Sequence, residues 1–307
     1  MHPTAAASSA GRADVRVLVT GAGGQLGLDL VDHCRDAGDE VIGLAHADLD
    51  VAHEPQVWAA VRDHRPEIVM HAAAWTDVDG CEHDPDRAHR VNALGSWWVA
   101  RACEAAGASM VLVSTDYVFD GSAPLDASGQ PRAMTEFDPI DPLNAYGRSK
   151  AAAERLVRDT LRQHHIVRTA WVCGARGSNF ATTMLRVGRE RGEARVVDDQ
   201  VGSPTFTRDL SVALRQIAAS RRFGTWHRSN QGRCSWFDFA AEIYRQAGVE
   251  VELSRMSSDE LDRPAPRPAW SVLSDRHAEL SGLTPMPAWQ DGLARFLAEF
   301  AELEVDA

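Results

Sequence analysis

The sequence predicts an α/β protein built on a doubly wound parallel sheet, with a smaller C-terminal α/β lobe. Apolar strands alternate with amphipathic helices through the first half of the 307-residue chain. A cluster of glycines follows the first strand directly and opens a helix. Strands that are separated by helices pair in parallel through right-handed crossovers, so this order indicates one open sheet with helices on both faces.

The elements of this sheet follow in chain order from hydrophobic periodicity and from the residues that interrupt it. The predicted strands are Val15–Thr20, Glu40–Leu44, Ile68–Ala72, Met110–Ser114 and His165–Thr169. The predicted helices are Leu26–Ala37, Gln56–Arg65, Arg87–Ala106 and Asn144–Gln163. Pro66 closes the second helix and Gly107 the third, because proline cannot continue a helix and glycine favours its C-terminal cap.

The alternation weakens beyond about residue 170, where prolines, glycines and tryptophans interrupt shorter elements. We therefore predict a dinucleotide-binding domain at residues 14–170, to which segments near 206–228 return. A substrate lobe would comprise residues 171–205 and 229–307. Residues 1–13 are small and polar, without the basic start and apolar stretch of a signal peptide, and are expected to form a disordered tail.

Composition and charge exclude several classes of protein. The chain carries 32 Lys and Arg against 44 Asp and Glu, a net charge of −12, which argues against a nucleic-acid partner. No apolar run approaches the roughly 20 residues that a membrane-spanning helix needs. The five cysteines are scattered without a CxxC pair or a Cys/His cluster, so no disulfide framework or zinc site is indicated. The expected compartment is the reducing cytoplasm.

The glycine-rich turn indicates a nucleotide cofactor. Gly21, Gly24 and Gly27 follow the first strand with G-x-x-G-x-x-G spacing, which suits a tight turn, close approach of the backbone to a pyrophosphate, and packing of helix on strand. The helix N-terminus then offers N–H donors to phosphate. A glycine-rich turn without a ligand is the alternative. The second predicted strand ends without an acid to repel a 2′-phosphate, which favours NADPH, with NADH possible.

A tyrosine and a lysine near the start of the fourth helix indicate ketone reduction. Tyr146 and Lys150 are four residues apart and lie on one helix face. A tyrosine can protonate a developing alkoxide if a nearby cation stabilises its phenolate. Thr115 and Asp116 follow an apolar strand, at the edge where open α/β sheets bind ligands. YxxxK also occurs on ordinary helices, but its combination with the glycine turn and a strand-end hydroxyl predicts a ketoreductase.

These motifs resemble the extended short-chain dehydrogenase/reductases, and within them the dTDP-4-dehydrorhamnose reductase family. The resemblance runs from about residue 15 to residue 300. It rests on the following stretches: GAGGQLG at 21–27, HAAAWTDVD at 71–79, STDYVFDG at 114–121, PLNAYGRSKAAAE at 142–154, RTAWVCGARGSNF at 168–180, DQVGSPT at 199–205, CSWFDFA at 234–240 and RPAPRPAWS at 263–271. The resemblance implies NADPH-dependent reduction of the 4-keto group of a dTDP-linked 4-keto-6-deoxy sugar.

The resemblance also implies a set of site residues. Thr115, Tyr146 and Lys150 would be catalytic. Contacts with the cofactor are expected from Gly21, Gly24, Gln25, Leu26, Asp48, Ala72, Ala73, Tyr146 and Lys150. Contacts with the sugar nucleotide are expected from Asp116, Trp171, Asn179, Phe180, Gln200, Thr205 and Arg267. Core packing is the alternative for Trp171 and Phe180, and a turn or supporting carboxylate is the alternative for Asp116. For Arg267 the alternative is a solvated loop residue or an ion pair with Asp262 or Asp275.

The chain departs from the family pattern at several positions. His71 stands where the family usually has Asn, and Trp75 and Cys173 stand where it usually has Tyr. Some relatives bind magnesium at a dimer interface through acidic residues. Asp29 and Glu190 fit two such places, but Gln290 stands at the third, so no metal is predicted and a homodimer stays open.

Three alternative functions share the predicted fold. Sugar-nucleotide 4,6-dehydratases carry a second acid after Thr-Asp, whereas Tyr117 follows Asp116 here. A related reductase of antibiotic pathways makes dTDP-dihydrostreptose from the same 4-keto precursor, which leaves the exact sugar open. The non-catalytic regulatory subunit of methionine adenosyltransferase is a third relative, and the intact Thr115, Tyr146 and Lys150 favour an enzyme over it.

Overall fold

The computed structural model describes residues 15–305. The tail predicted for residues 1–13 lies outside the described residues. The strands are β1 (Arg16–Thr20), β2 (Glu40–Leu44), β3 (Ile68–His71), β4 (Ser109–Thr115), β5 (His164–Thr169), β6 (Val172–Cys173), β7 (Glu193–Val197), β8 (Val201–Gly202), β9 (Thr205–Phe206), β10 (Gly224–His227), β11 (Cys234–Ser235), β12 (Glu252–Met256) and β13 (Trp270–Ser271).

The α-helices are given next in chain order. They are α1 (Gln25–Asp36), α2 (Glu54–His64), α3 (Val78–His83), α4 (Pro85–Ala88), α5 (Gly95–Ala106), α6 (Ala145–Thr160), α7 (Phe180–Arg191), α8 (Thr207–Ser220), α9 (Trp236–Ala247), α10 (Arg276–Leu280) and α11 (Trp289–Val305).

The central sheet of the described residues has the strand order β10-β5-β4-β3-β1-β2, and all its neighbours pair in parallel. Successive residues of a strand point to opposite faces, and β1 shows how both faces are covered. Leu18 packs with α2, α5 and α6, whereas Val17 and Val19 pack with α1 and α8. The predicted doubly wound parallel sheet is therefore confirmed.

The remainder of the second half forms smaller sheets around a separate apolar core. Strand β12 pairs with β7, β6 pairs with β9, and β8 lies between β11 and β13. Leu185 of α7, Phe239 of α9 and Phe296 of α11 are buried in one cluster. Strand β10, in contrast, extends the central sheet beside β5. The division into two domains stays a prediction.

The prediction of one α-helix over Arg87–Ala106 was wrong in its middle. The chain forms α4, then a π-helix at His89–Leu94, and then α5. Within the π-helix, the amide of buried Asn92 donates to Trp75 O (3.0 Å) and Ser149 Oγ (2.9 Å), while its oxygen accepts from Trp75 N (2.8 Å). We attribute the widened turn to these bonds, which direct the Asn92 side chain to two other elements.

No helix within residues 15–305 is long and apolar enough to span a membrane. All five cysteines are buried and free.

Candidate active site

The glycine turn between β1 and α1 has geometry that requires glycine. Gly21 has φ +71°, and a Cβ there would lie 2.7 Å from Ala73 N. A Cβ at Gly27 would lie 2.1 Å from Gly21 O. Gly24 caps α1 without a side-chain hydrogen bond, and the first turn holds no acid. The turn therefore brings the end of β3 against β1 and leaves the N–H groups at the start of α1 available to phosphate.

The other cofactor contacts predicted from sequence surround this turn. Ala72 N donates to Thr20 O at 3.2 Å, which fixes the chain after β3 beside the turn. Leu26 is buried in the core beneath α1. Asp48 is exposed after β2, and its Oδ2 accepts from Ala45 N at 3.0 Å. Ala72 and Asp48 thus lie beyond the carboxyl ends of their strands. The Asp48 carboxylate stabilises the turn in which it lies.

Gln25 joins the cofactor turn to the second half of the chain. Its Oε1 accepts from Gly174 N and Asn179 Nδ2, and its Nε2 donates to Ser178 O, all at 2.9 Å. One turn later on α1, Asp29 forms an ion pair with Arg176. Helix α1 therefore holds the loop that leads into α7.

The buried His71 side chain, which replaces the usual Asn, lies at the end of β3. Its Nδ1 lies 2.7 Å from Thr20 Oγ1, and its Nε2 lies 3.1 Å from Ser96 Oγ. Burial lowers the pKa of His71 to about 3, and the positive charge of Lys150 adds to this effect. His71 is therefore neutral, and both its ring nitrogens are used within the protein.

Thr115, Asp116, Tyr146 and Lys150 come together at the carboxyl end of β4, and we call them the strand-end site. Helix α6 begins after Asn144, whose side chain accepts from Gly147 N at 2.8 Å. A Cβ at Gly147 would lie 2.1 Å from Tyr117 O, so glycine allows α6 to approach the chain that follows Asp116. The phenol of Tyr146 then lies near enough to the Thr115 hydroxyl for that hydroxyl to lower the Tyr146 pKa.

The electrostatics of the strand-end site follow from burial. Burial raises the pKa of the Tyr146 phenol and the charge of Asp116 raises it further, whereas the Thr115 hydroxyl opposes the rise. Burial lowers the pKa of Lys150 to about 8, and its Nζ donates to Val113 O at 2.8 Å. Burial raises the pKa of Asp116 to about 6, opposed by the hydroxyls of Ser271 and Thr115.

Asp116 retains an unused hydrogen-bonding atom. Its Oδ1 accepts from Thr115 Oγ1 at 3.0 Å. Asp116 Oδ2 is buried without a hydrogen-bond partner among residues 15–305, and so are the hydroxyl of Ser271, which lies near enough to lower the Asp116 pKa, and the hydroxyl of Thr169. Residue Thr169 pairs with Thr115 across β4 and β5. An unpaired buried polar atom costs free energy, so these atoms are prepared to bind a polar group.

A cavity of about 850 Å³ lies next to the strand-end site, and we call it the substrate cavity. Tyr117 lines it and packs edge-on against Tyr146, with ring centroids 5.5 Å apart. The cavity brings together three residues of the predicted substrate set, Phe180, Gln200 and Arg267. Its size and mixed lining suit a ligand as large as a sugar nucleotide.

The side chains of Gln200 and Arg267 already have partners. Gln200 Nε2 donates to Ser258 Oγ at 2.8 Å, and its Oε1 accepts from Trp236 Nε1 at 3.1 Å. Arg267 forms two bonds to Asp79, from Nη1 to Oδ1 (2.5 Å) and from Nη2 to Oδ2 (2.9 Å). The ion pair suggested for Arg267 with Asp262 or Asp275 is wrong, because Asp79 takes that place.

The other predicted substrate residues contribute indirectly to the cavity. Trp171, in the left-handed region at φ +49°, stacks on the cavity residue Trp236 with ring centroids 3.5 Å apart. Asn179 caps α7, accepting from Thr182 N at 3.1 Å. Thr205 is fully buried in β9, where its hydroxyl donates to Ser203 O at 3.3 Å. None of the three lines the cavity, and Trp171 reaches it through Trp236.

Sequence reasoning did not select several side chains that line the cavity. Tyr117, Met184, Arg195, Trp236 and Ser258 are among them. Tyr117 directly follows Thr115-Asp116, and Trp236 lies in the stretch CSWFDFA, so both positions carried a signal. Met184, Arg195 and Ser258 lie outside the motifs, and only the three-dimensional packing identifies them.

The acidic residues considered for a magnesium site each lie close to an arginine. Asp29 pairs with Arg176, and Glu190 lies 3.8 Å from Arg186 on the same helix. Within residues 15–305, no three His, Cys, Asp or Glu side chains come together in a geometry that could hold a metal ion.

Comparison with known proteins assigns the chain to a family. Residues 15–302 match the family model described as the RmlD substrate binding domain. The spore coat polysaccharide biosynthesis protein SpsK of Bacillus subtilis is 42% identical over 284 residues, which cover 92% of this chain and 97% of that protein. The dTDP-4-dehydrorhamnose reductase of Mycobacterium tuberculosis is 39% identical over 292 residues, which cover 94% of each chain.

A solved structure agrees with this assignment. The dTDP-4-dehydrorhamnose reductase of Bacillus anthracis, in complex with NADP, superposes with a TM-score of 0.89 and is 40% identical. The match covers 93% of this chain and 99% of that one. By sequence and by fold, the chain belongs to the dTDP-4-dehydrorhamnose reductase family.

Proposed function

We propose that this protein uses NADPH to reduce the 4-keto group of a dTDP-linked 4-keto-6-deoxy sugar, with dTDP-4-dehydrorhamnose as the expected substrate and dTDP-L-rhamnose as the product. The observation that carries the proposal is the meeting of Thr115, Tyr146 and Lys150 at one strand end beside the substrate cavity. The relatives that are dTDP-4-dehydrorhamnose reductases, one of them in complex with NADP, support it.

The residues around the glycine turn fit a dinucleotide. A Cβ at Gly21 or Gly27 would clash with backbone, and α1 begins without a side-chain cap among the described residues. We propose that Gly21, Gly24, Gln25 and Leu26 hold the pyrophosphate. The remaining cofactor contacts would come from Asp48, Ala72, Ala73, Tyr146 and Lys150. When bound, the cofactor supplies the hydride. NADH is the alternative donor.

The strand-end site would manage the proton of the reaction. As the ketone oxygen gains negative charge, Tyr146 donates its phenolic proton to it. The Thr115 hydroxyl binds the same oxygen and orients it towards the phenol. Lys150 stabilises the phenolate that remains, because a nearby positive charge favours the ionised form of the tyrosine.

The substrate cavity would bind the nucleotide part of the sugar. Phe180, Gln200 and Arg267 contact the ligand in this proposal, with Asp116 next to the sugar. Trp171, Asn179 and Thr205 support the walls. Arg267 is the proposed partner of the diphosphate, because a guanidinium can hold two phosphate oxygens at once. The residues 171–205 and 229–307 would form the substrate lobe.

The decisive experiment measures NADPH oxidation by the purified protein with and without the 4-keto sugar nucleotide. We expect NADPH oxidation only when the sugar nucleotide is present. NMR of the product would identify the reduced sugar and the face of the ketone that receives hydride. Parallel reactions with NADH establish the preferred cofactor. Absence of turnover with 4-keto sugar nucleotides would contradict the proposal, whereas turnover to another reduced sugar would replace only the named substrate.

The cellular setting is also part of the proposal. We propose that the protein works in the cytoplasm, since all five buried cysteines are free. The proposed assembly is a homodimer. Size-exclusion chromatography with light scattering would measure the mass of the protein in solution.

A further inference from the structure

A buried ion pair adjoins the strand-end site. Glu154 on α6 and Arg168 on β5 are at most 3% exposed. Arg168 Nε donates to Glu154 Oε1 at 2.9 Å, and Arg168 Nη2 donates to Glu154 Oε2 at 2.7 Å. The Ser114 hydroxyl donates a further bond to Glu154 Oε1 at 2.6 Å. The carboxylate of Glu154 thus accepts bonds from two strands.

The pair joins the elements that carry the strand-end site. Ser114 immediately precedes Thr115 on β4, and Ser114 and Arg168 are paired across β4 and β5. Glu154 lies one turn after Lys150 on α6, so the two side chains share a helix face. Lys150 itself donates to Val113 O, one residue before Ser114. Two neighbouring turns of α6 are therefore bonded to consecutive residues at the end of β4.

The charge of Glu154 also balances two buried cations. Arg168 is bonded to it directly, and its negative charge opposes the lowering of the Lys150 pKa by burial. His71, which also lies near Lys150, is neutral. Removal of the Glu154 charge would leave both Arg168 and Lys150 buried without this negative charge.

Stability alone does not explain a pair of this kind. Well-packed apolar side chains of similar volume often stabilise a fold as much as a buried ion pair does, because both charges lose their hydration. Arg168 packs over the Phe119 ring at 5.1 Å, and its Nη1 lies 3.4 Å from His227 Nε2. What an apolar pair would not supply is a directional connection from α6 to Ser114.

We propose that Glu154, held by Arg168, is a positioning residue that fixes the Tyr146 phenol on α6 relative to the Thr115 hydroxyl on β4. The inference rests on the proposed reductase function. The proton transfer needs both groups at one ketone oxygen, and a misplacement of about 1 Å can cost roughly 100-fold in rate. The pair acts through the backbone of β4 and α6 and does not touch the substrate.

The test compares Glu154→Gln with the double variant Glu154→Gln/Arg168→Gln. Glu154→Gln keeps the size of the side chain but leaves Arg168 buried without its counter-ion, so we expect a lower thermal midpoint. The double variant removes both charges and should recover much of that midpoint. We expect both to lose about 10- to 100-fold in kcat, while the Kd for NADPH changes less than about threefold.

A matched control is the ion pair of Asp39 and Arg215, which is bidentate at 2.7 and 2.8 Å and lies outside the strand-end site. Asp39→Asn should lower the thermal midpoint and leave kcat unchanged. If the double variant turns over at the wild-type rate, the pair is structural only and the inference is wrong. If the wild type itself fails to reduce the sugar, the proposed function is wrong and the inference with it.

Discussion

At the strand-end site, buried Asp116 Oδ2 and Thr169 Oγ1 have no hydrogen-bond partner among the described residues. In the substrate cavity, Gln200 and Arg267 are bonded to Ser258, Trp236 and Asp79. The unpaired atoms at the strand-end site lower the stability of the free protein, since unpaired buried polar groups are unfavourable. In the substrate cavity, Gln200 and Arg267 keep their hydrogen bonds until a ligand displaces a partner. The two regions should therefore respond differently to substitution.

The largest effect is expected from Tyr146→Phe. Without the phenolic proton, kcat should fall about 10²- to 10⁴-fold, because general acid catalysis is typically worth this much. The Kd for NADPH should stay within about twofold, since the ring remains. Steady-state kinetics and calorimetric titration measure the two quantities.

Tyr117→Phe is the matched control for this prediction. Tyr117 packs edge-on against Tyr146 but belongs to the cavity lining. We expect its effect on kcat to be less than about threefold. Equal losses in the two variants would remove the distinction between the strand-end site and the cavity, and a Tyr146→Phe enzyme with more than half of wild-type kcat would exclude the phenol as the acid.

The second prediction concerns how Asp116 makes the free energy of unfolding depend on pH. The folded pKa of Asp116, about 6, exceeds the usual value near 3.9. Its contribution to the free energy of unfolding is therefore full below about pH 4 and is lost as the pH rises through 6. Two pKa units correspond to at most about 3 kcal/mol. In urea denaturation of the free protein, Asp116→Asn should gain stability over wild type by up to this amount between pH 4 and pH 7.

Asp79→Asn should show the opposite dependence. The Arg267 guanidinium holds the pKa of the Asp79 carboxyl below its ordinary value. Its contribution to stability is therefore present above the unfolded pKa and is lost as the pH falls. Asp79→Asn should lose stability relative to wild type at pH 7 more than at pH 4. The same sign for both variants would contradict the contrast between a carboxylate whose pKa burial raises and one whose pKa an arginine lowers.

The smallest effect is expected from Arg267→Lys. Lysine cannot reproduce a bidentate grip on a diphosphate, and charge-assisted bonds contribute roughly 1.5–3 kcal/mol. We expect KM for the sugar nucleotide to rise about tenfold or more, with KM for NADPH little changed. The control is Arg263→Lys. The Arg263 side chain is 53% exposed and lies 3.4 Å from Asp79. An unchanged KM for the sugar nucleotide in Arg267→Lys would show that Arg267 pairs with Asp79 and does not bind the diphosphate.

The sequence predicts the strands and the glycine turn of the central sheet better than the contacts of the substrate cavity, for a physical reason. Strand β2 has the bounds expected from periodicity, and the glycines mark a turn whose backbone geometry only glycine permits. These features depend on residues close together in the chain. The bond between Arg267 and Asp79 spans 188 residues, so no local pattern reveals it.

The interrupted helix before α5 shows the same limit. Its composition suits a continuous α-helix, and the π-helix arises where Asn92 reaches Trp75 and Ser149, 17 and 57 residues away. The ion pair of Glu154 and Arg168 depends in turn on the register of β4 with β5. Features of this kind become visible only once the sheet has been assembled.

The three bonds of Gln25 to the loop at 174–179 limit how this enzyme can be re-engineered. A graft of a relative's cofactor turn would replace one half of an interface whose other half is Gly174, Ser178 and Asn179. Any Cβ at Gly174 or Gly177 would also collide with the Gln25 side chain. Changes in cofactor preference made at the start of α1 will therefore alter the entry to α7, unless the loop is transplanted together with the turn.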